Sequence, residues 1–342
     1  MSDPATLRST TDHLASEARW EAVRDLLSEQ PVEELLSADL AYRLGEALYF
    51  TGHITDLEAH AVAYEHAARA AADPVAVLYA RNLNGIAAFE LGKMDEAASI
   101  LENLIERAAE EGEHLLMARA AISLGAVSNL RGEPERALTF YRLALPPLDR
   151  DCNTRGLGQV YHNLAMSYRD LGQLDDAVDE YRHATRIAQN AGLQPQVAMS
   201  TIGRAEVEVM RGDFALGFIL AERGRLLAID IGDPISEGTA LRIRSLARIG
   251  AGPPNISAPA VGDEELEAAA SDLAQASDLA ASTENVLLQA EVWRDLGRLD
   301  RRRGRAAQAR LNLTRARDAL RSLGASAASS ALEAEIEALD DS

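Results

Sequence analysis

The chain has 342 residues, 54 acidic against 34 basic side chains for a net charge of −20, and only 4% aromatic residues. That balance excludes general nucleic-acid binding, which needs a basic surface to neutralise phosphates, and favours solubility and basic or mixed-charge partners. Many Ala and Leu residues with so few aromatics suit closely packed helices better than sheets.

A single cysteine, Cys152, excludes an internal disulfide, and the opening MSDPATLRSTTDHLASEARW lacks the apolar stretch of a secretory leader. Charges interrupt every apolar run before the roughly 18 residues of a membrane span, so no membrane contact and a cytoplasmic location are expected. Lys93 is the only lysine among 34 basic residues, a bias expected of a G+C-rich bacterial genome.

Residues 1–39 are predicted as an irregular N-terminal helical unit or cap, with ASEARWEAVRDLL (15–27) as its second helix. Beyond Asp39 a comb of glycines takes over: Gly52, Gly92, Gly132, Gly172, Gly212 and Gly252 are evenly spaced. A second comb at Gly112, Gly192 and Gly232 runs half a period out of phase, with Cys152 in its place once. Glycine takes a left-handed backbone at a helix C-terminus without a Cβ penalty, so each glycine is expected to end a helix. Two combs therefore mean two helices and two turns per unit, a helical hairpin.

Small residues recur where the helices of a hairpin would cross. Gly45, Gly85, Gly125 and Ala165 precede the glycines of the first comb at one fixed offset, and Ala97, Ala137, Ala177 and Gly217 follow them at another. Tyr141 and Tyr181, then Ala144 and Ala184, are expected to fill the gap to the next unit. The stretch PPNISAPAVGDE (253–264) has adjacent prolines and no helical period, and is predicted as a loop inserted between the two helices of the sixth unit. Gly304 restores the pattern beyond that insertion. Residues 325–342 are predicted as an acidic C-terminal capping helix, with Leu332, Ile336 and Leu339 on one stripe.

Tyr161, Leu164, Ala165, Tyr168, Gly172, Ala177, Tyr181 and Ala184 resemble the tetratricopeptide repeat family in its W-x2-L-G-x2-Y, G-x4-A, F-x2-A pattern. Trp293, Leu296, Gly297, Gly304, Ala309, Leu313 and Ala316 carry the same resemblance. The long spacing from Gly52 to Gly92 is similar to that of long-helix members among bacterial peptide-sensing regulators and kinesin light chains. The resemblance implies an all-α fold, a right-handed superhelical solenoid of helix-turn-helix units, about seven of them over 40–324. It also implies that the first helix of each unit lines a concave groove.

On that map the groove positions include Tyr42, Glu46, Tyr49, Tyr79, Asn82, Phe89, Arg119, Asn129, Gln159, His162, Met166, Arg169 and Glu206, with Asn163 one place along. Amides of this kind pair with an extended peptide backbone, and Tyr, Phe and Met supply pockets. Between Glu291 and Arg321 there are 10 arginines and 4 acidic residues, and Arg294, Arg298 and Arg301 share one helical face, with Arg242 one unit earlier. Such a row suits an acidic partner segment, because guanidinium forks bind carboxylates. Pairing of Arg294 and Arg298 with Glu291 and Asp295, or an acidic cap folded over the patch, are the competing readings.

Other motifs carry less. RGLGQVY (155–161) lacks the third glycine and the preceding strand of a phosphate-cradling turn, and is read as an inter-repeat loop. His53, His60 and His66 lack the i,i+4 spacing of a paired metal site. Cys152 lies between Arg150 and Arg155, which would favour a thiolate, but is read as a replacement for a turn glycine. No catalytic residue, metal or cofactor is expected. The expected function is a non-enzymatic interaction module or scaffold that binds a peptide or helix of a partner protein, with self-association also open. The alternatives are a peptide-sensing regulator acting with a separately encoded effector, and a nucleic-acid contact or enzyme activity at 294–321.

Overall fold

The structure is a computed structural model that describes residues 4–17, 19–250 and 261–339. All regular structure among these residues is helical, in 18 helices. The chain divides into two compact units, 1–127 and 128–342.

The first unit holds α1 (Pro4–Ser16), α2 (Trp20–Ser28), α3 (Val32–Ser37), α4 (Ala41–Phe50), α5 (Ile54–Ala70), α6 (Pro74–Glu90), α7 (Met94–Glu110) and most of α8 (His114–Leu130). The single helix predicted over 15–27 is not formed. Arg19 has a non-helical backbone that separates α1 from α2, and Trp20 is held by stacking on Phe50 of α4 with ring centroids 4.6 Å apart.

The second unit holds α9 (Pro134–Arg150), α10 (Thr154–Asp170), α11 (Leu174–Asn190), α12 (Gln194–Met210), α13 (Phe214–Ile231), α14 (Pro234–Ile249), α15 (Asp263–Ser282), α16 (Val286–Arg302), α17 (Ala306–Ser322) and α18 (Ser326–Glu337). Most of the loop predicted at 253–264 lies outside the described residues. Its last two positions, Asp263 and Glu264, are helical, because Gly262 is extended and the acidic first turn complements the N-terminal end of α15.

Turn chemistry explains the regularity. Gly52, Gly92, Gly112, Gly132, Gly172, Gly192, Gly212 and Gly232 all have φ between +68° and +84°. Cys152 adopts the same left-handed state at φ 51°, as do Ala72 at 54° and Glu284 at 52°, where the sequence offers no glycine. Gly252 lies outside the described residues, and α14 is already closed by Gly250 at φ 60°. The residue after a turn often caps the next helix: Asp73, Asn153, Asp213 and Asn285 accept from the backbone N–H three residues on, at 2.8–3.0 Å. Each such cap is worth about 1 kcal/mol.

The predicted crossing residues are in the core. A Cβ on Gly45 would collide with the Leu83 side chain, and one on Gly297 would lie 2.7 Å from Leu313. Ala97, Ala137, Ala177, Tyr141 and Tyr181 are buried. Within the second unit, α18 buries Leu332 and Ile336 in a cluster against which Leu130 also packs, and the turn at Gly132 comes so near α18 that a Cβ there would meet Ala327 at 2.6 Å.

Candidate protein interaction face

In the first unit the first helices of the hairpins, α4, α6 and α8, bring five of the predicted residues together. The Tyr42 hydroxyl donates to Asn82 Oδ1 at 2.8 Å, and the Tyr42 and Tyr79 rings meet edge to face at 5.0 Å. The Arg119 guanidinium lies 5.2 Å from the Tyr42 ring centroid and 3.5 Å from Glu46. Burial pushes the Tyr42 and Tyr79 phenols up, so both remain neutral donors. At the C-terminal end of α4, Tyr49 is 37% exposed and Phe50 53% exposed, and Phe89 is half-buried at the matching end of α6. The Tyr49 phenol is pushed up to about 12 by burial and by the Glu90 carboxylate.

Asn82 corrects the expectation of a groove-facing amide. It is 0% exposed, because α6 is packed on both sides and the side chain serves as the acceptor that satisfies Tyr42.

In the second unit the same register carries a ladder of alternating charge. Arg169 of α10 pairs with Glu206 of α12 at 2.5 Å, and Glu206 accepts from Arg242 of α14 at 2.9 Å. Arg242 reaches Asp295 of α16 at 3.0 Å and Glu291 at 3.5 Å. Arg294 pairs with Asp295 at 2.9 Å, while Arg298 donates through Nε and Nη2 to Glu335 of α18 at 3.2 and 3.0 Å. Arg301 stands 3.5 Å from the same carboxylate. Burial alone would lift the Glu206 carboxyl, but Arg169 and Arg242 more than offset it and hold it below the ordinary range. Asp295 is likewise held down against burial by Arg294 and Arg242.

The arginine row is thus not an open carboxylate seat. Arg242 is 1% exposed, and Arg294 and Arg298 are paired both along their own helix and, for Arg298, to the cap. Both competing readings of the row are present at once. Glu206 belonged to the groove map, Asp295 to the pairing expected along α16 and Glu335 to the acidic cap, but the pairing of Arg242 with Glu206 and Asp295 was missed; the available signal was the alternation of sign at groove positions from one unit to the next.

The remaining predicted residues fall into supporting places. Asn129 Oδ1 accepts from Ser167 at 2.9 Å, and its amide donates to Tyr141 at 3.3 Å. His162 meets the Tyr181 ring edge to face at 5.3 Å and lies 3.4 Å from the Ser200 hydroxyl. Burial, aided by Arg169, pushes the His162 imidazole down to about 4. Met166 packs against the Ala165–Tyr181 cluster, Asn163 is half-buried, and Gln159 is exposed.

His53, His60 and His66 are not brought to one point: His60 Nε2 donates to the Ala41 carbonyl at 2.7 Å, while His53 lies 3.3 Å from Arg24 and His66 is exposed. Among the described residues no His, Cys, Asp and Glu group is placed to hold a metal ion. RGLGQVY is not a loop. It forms the first turns of α10, where Gly156 and Gly158 leave room for Leu148 and Gln196. Among the described residues no helix is long and apolar enough to cross a membrane.

Helix pairs closed by left-handed turns at a regular interval, with polar side chains along the first helices, define a helical-hairpin repeat protein. Tetratricopeptide-repeat family models match residues 76–146 and 158–190, and the chain carries tetratricopeptide repeats there. The fold is similar to that of the apo form of RapI, at TM-score 0.65 and 12% identity over 83% of this chain and 97% of that one. It is also similar to a Rap protein complexed with competence and sporulation factor, at TM-score 0.64 and 10% identity over 99% and 98% of the two chains. Aspartyl phosphate phosphatase F from Bacillus subtilis matches at TM-score 0.63 and 13% identity over 86% and 76%. At these identities the likeness is one of fold. None of the curated proteins matches the chain.

Proposed function

We propose that the chain is a non-catalytic, cytoplasmic interaction module that holds a peptide or helix of another protein along the first-helix face of its hairpins. The observation that carries this reading is the contrast between the two units. In 128–342 the charges at the groove register are consumed by one another, whereas in 1–127 Tyr42, Tyr79, Glu46 and Arg119 form a partly exposed polar and aromatic cluster. Tyr and Arg are the residue types that most often dominate binding energy in interfaces. Arg119 has one neighbouring carboxylate at 3.5 Å and a fork of further donors, which suits an acidic residue in the partner. Tyr49 and Phe89 extend the contact face within 1–127, and in 128–342 Gln159, Asn163 and Met166 stand on the first helix of a hairpin, α10.

The solved complex of a Rap protein with competence and sporulation factor supports this use of the fold. The match over 99% of this chain also favours a second reading, a sensor whose bound peptide controls a separately encoded effector.

The test places a photo-crosslinking residue at Tyr79 or Tyr49, and as a control at the exposed His66 of α5. The reading expects one defined partner captured from the first two positions and lost on Arg119→Ala. Equal capture from His66, or capture indifferent to Arg119→Ala, rejects it. A short peptide as the captured species favours the sensor; a segment of a larger protein favours the scaffold.

A further inference from the structure

Between α11, α12 and α13, away from the ladder, lies a depression of about 240 Å³ lined by Arg182 and Arg186 of α11, Arg204 of α12 and Arg223 of α13. Four arginines line one small depression on a chain whose net charge is −20.

The next groove along the array shows how this fold ordinarily neutralises such a position. Arg244 of α14 stands one full repeat after Arg204, at the same place in its hairpin. Arg244 pairs with Glu222 of α13 and with Asp272 of α15, the latter at 2.6 Å. Two positions around Arg204 correspond to those carboxylates. Arg182 stands one full repeat before Glu222, and Leu220 stands as far before its turn residue Gly232 as Asp272 does before Glu284. One carboxylate is replaced by a cation and the other by an apolar side chain. In the first unit the comparable depression between α5, α6 and α7 is also balanced, with Arg81 held by Glu65 at 3.0 Å.

What counter-charge remains is slight. Arg182 pairs with the exposed Asp179 at 3.0 Å, and Arg204 reaches Glu208 at 3.4 Å, a carboxylate already 3.5 Å from Arg211. Arg186 and Arg223 have no carboxylate partner among the described residues. Four planar forks around one small opening require an anion with many oxygens: one carboxylate would satisfy a single fork, whereas linked phosphoryl groups present an acceptor to each. No aromatic side chain lines the depression, so nothing there stacks on a nucleobase.

We infer that this depression is a binding site for an oligophosphate chain, two or more linked phosphoryl groups, carried by a nucleotide or free as inorganic polyphosphate. The site is separate from the face proposed to hold a protein partner, and its test does not depend on that partner.

Calorimetric titration of the full chain with inorganic tripolyphosphate, ATP and orthophosphate tests the inference. Tripolyphosphate and ATP are expected to bind saturably and at least about tenfold more tightly than orthophosphate, because only a chain of phosphates engages several forks at once. Arg186→Ala with Arg223→Ala should weaken both by about tenfold or more without changing the melting temperature of the free protein, since neither side chain supports another. Arg182→Glu, which restores the carboxylate found beside Arg244, should abolish binding, and Arg150→Ala with Arg155→Ala should leave it unchanged. Equal affinity for ATP and tripolyphosphate assigns the site to the phosphate chain alone, and tighter binding of ATP assigns it to nucleotides; both uphold the inference. No saturable binding, orthophosphate bound as tightly as tripolyphosphate, or binding that survives Arg182→Glu would overturn it.

Discussion

The Glu335 carboxylate accepts from Arg298, at 3.2 Å from Nε to each oxygen and 3.0 Å from Nη2, and so joins the C-terminal helix to the end of the charge ladder. The same helix buries Leu332 and Ile336. Burying two such side chains contributes about 1.5–3 kcal/mol each, far more than the partly exposed ion pair. Deleting 325–342 is therefore expected to lower unfolding free energy by roughly 3 kcal/mol or more in a denaturant titration, while Glu335→Gln alone costs about 1 kcal/mol. Partner affinity should not rise. Tighter binding by the truncated chain would make α18 an autoinhibitory segment instead.

Arg242 is the buried centre of the ladder, shared by Glu206, Asp295 and Glu291. Its removal leaves carboxylates in a low-dielectric interior without their cation. Arg242→Ala is expected to destabilise by about 3–5 kcal/mol, and Arg242→Lys to recover only part of that, since one ammonium cannot satisfy a three-sided fork. Thermal melting of the two variants checks both statements; an Arg242→Ala protein as stable as the parent would mean the ladder contributes nothing net.

His162 is held neutral, its pKa pushed down to about 4 by burial and by Arg169. The folded state then binds fewer protons than the unfolded chain, in which an imidazole titrates near about 6.5. Stability is fully present above about pH 6.5 and falls as the pH drops towards 4. Urea midpoints measured at pH 7.5 and pH 4.5 should show a decline that His162→Gln reduces by on the order of 2 kcal/mol. An identical decline in the variant would assign the pH dependence to other groups, including His60, whose imidazole burial also lowers.

Ala72 and Cys152 occupy left-handed turns at φ 54° and 51°. A side chain there costs about 1–2 kcal/mol, and glycine returns roughly 0.5–1 kcal/mol of that as entropy of the unfolded chain. Ala72→Gly and Cys152→Gly are each expected to stabilise by about 0.5–1 kcal/mol, read as a rise in melting temperature. A fall would mean that contacts of the replaced side chain outweigh the backbone strain.

Helix-ending glycines and the crossing alanines were legible in sequence because each answers a local requirement: a backbone state or a space too small for a Cβ. Ala72 and Glu284 were not, since nothing in an isolated alanine or glutamate announces a left-handed turn; only its distance from neighbouring turns does. Tyr42, Tyr79 and Arg119 came out together because their place in the hairpin sets the direction of their side chains. Asn82 shares that register yet is buried, and Arg242 found its partners in Glu206, one unit before it, and Asp295, one unit after. Pairings of that kind depend on how adjacent hairpins stack, which no single repeat encodes.

Leu130 packs against the cluster that holds Leu332 and Ile336, and Gly132, at the first turn of the second unit, lies against Ala327 of its last helix. An array in which each repeat meets only its neighbours opens from its ends, and its terminal amides exchange fastest. Here the end is tied back to the beginning of its own unit, so releasing α18 also uncovers the turn at 130–132. Residues 128–342 have therefore lost the free end from which such an array unzips. Amide protons of α18 should exchange on the timescale of the α8–α9 turn rather than that of a fraying terminus, and the closure should make the hairpins between them open together instead of one at a time.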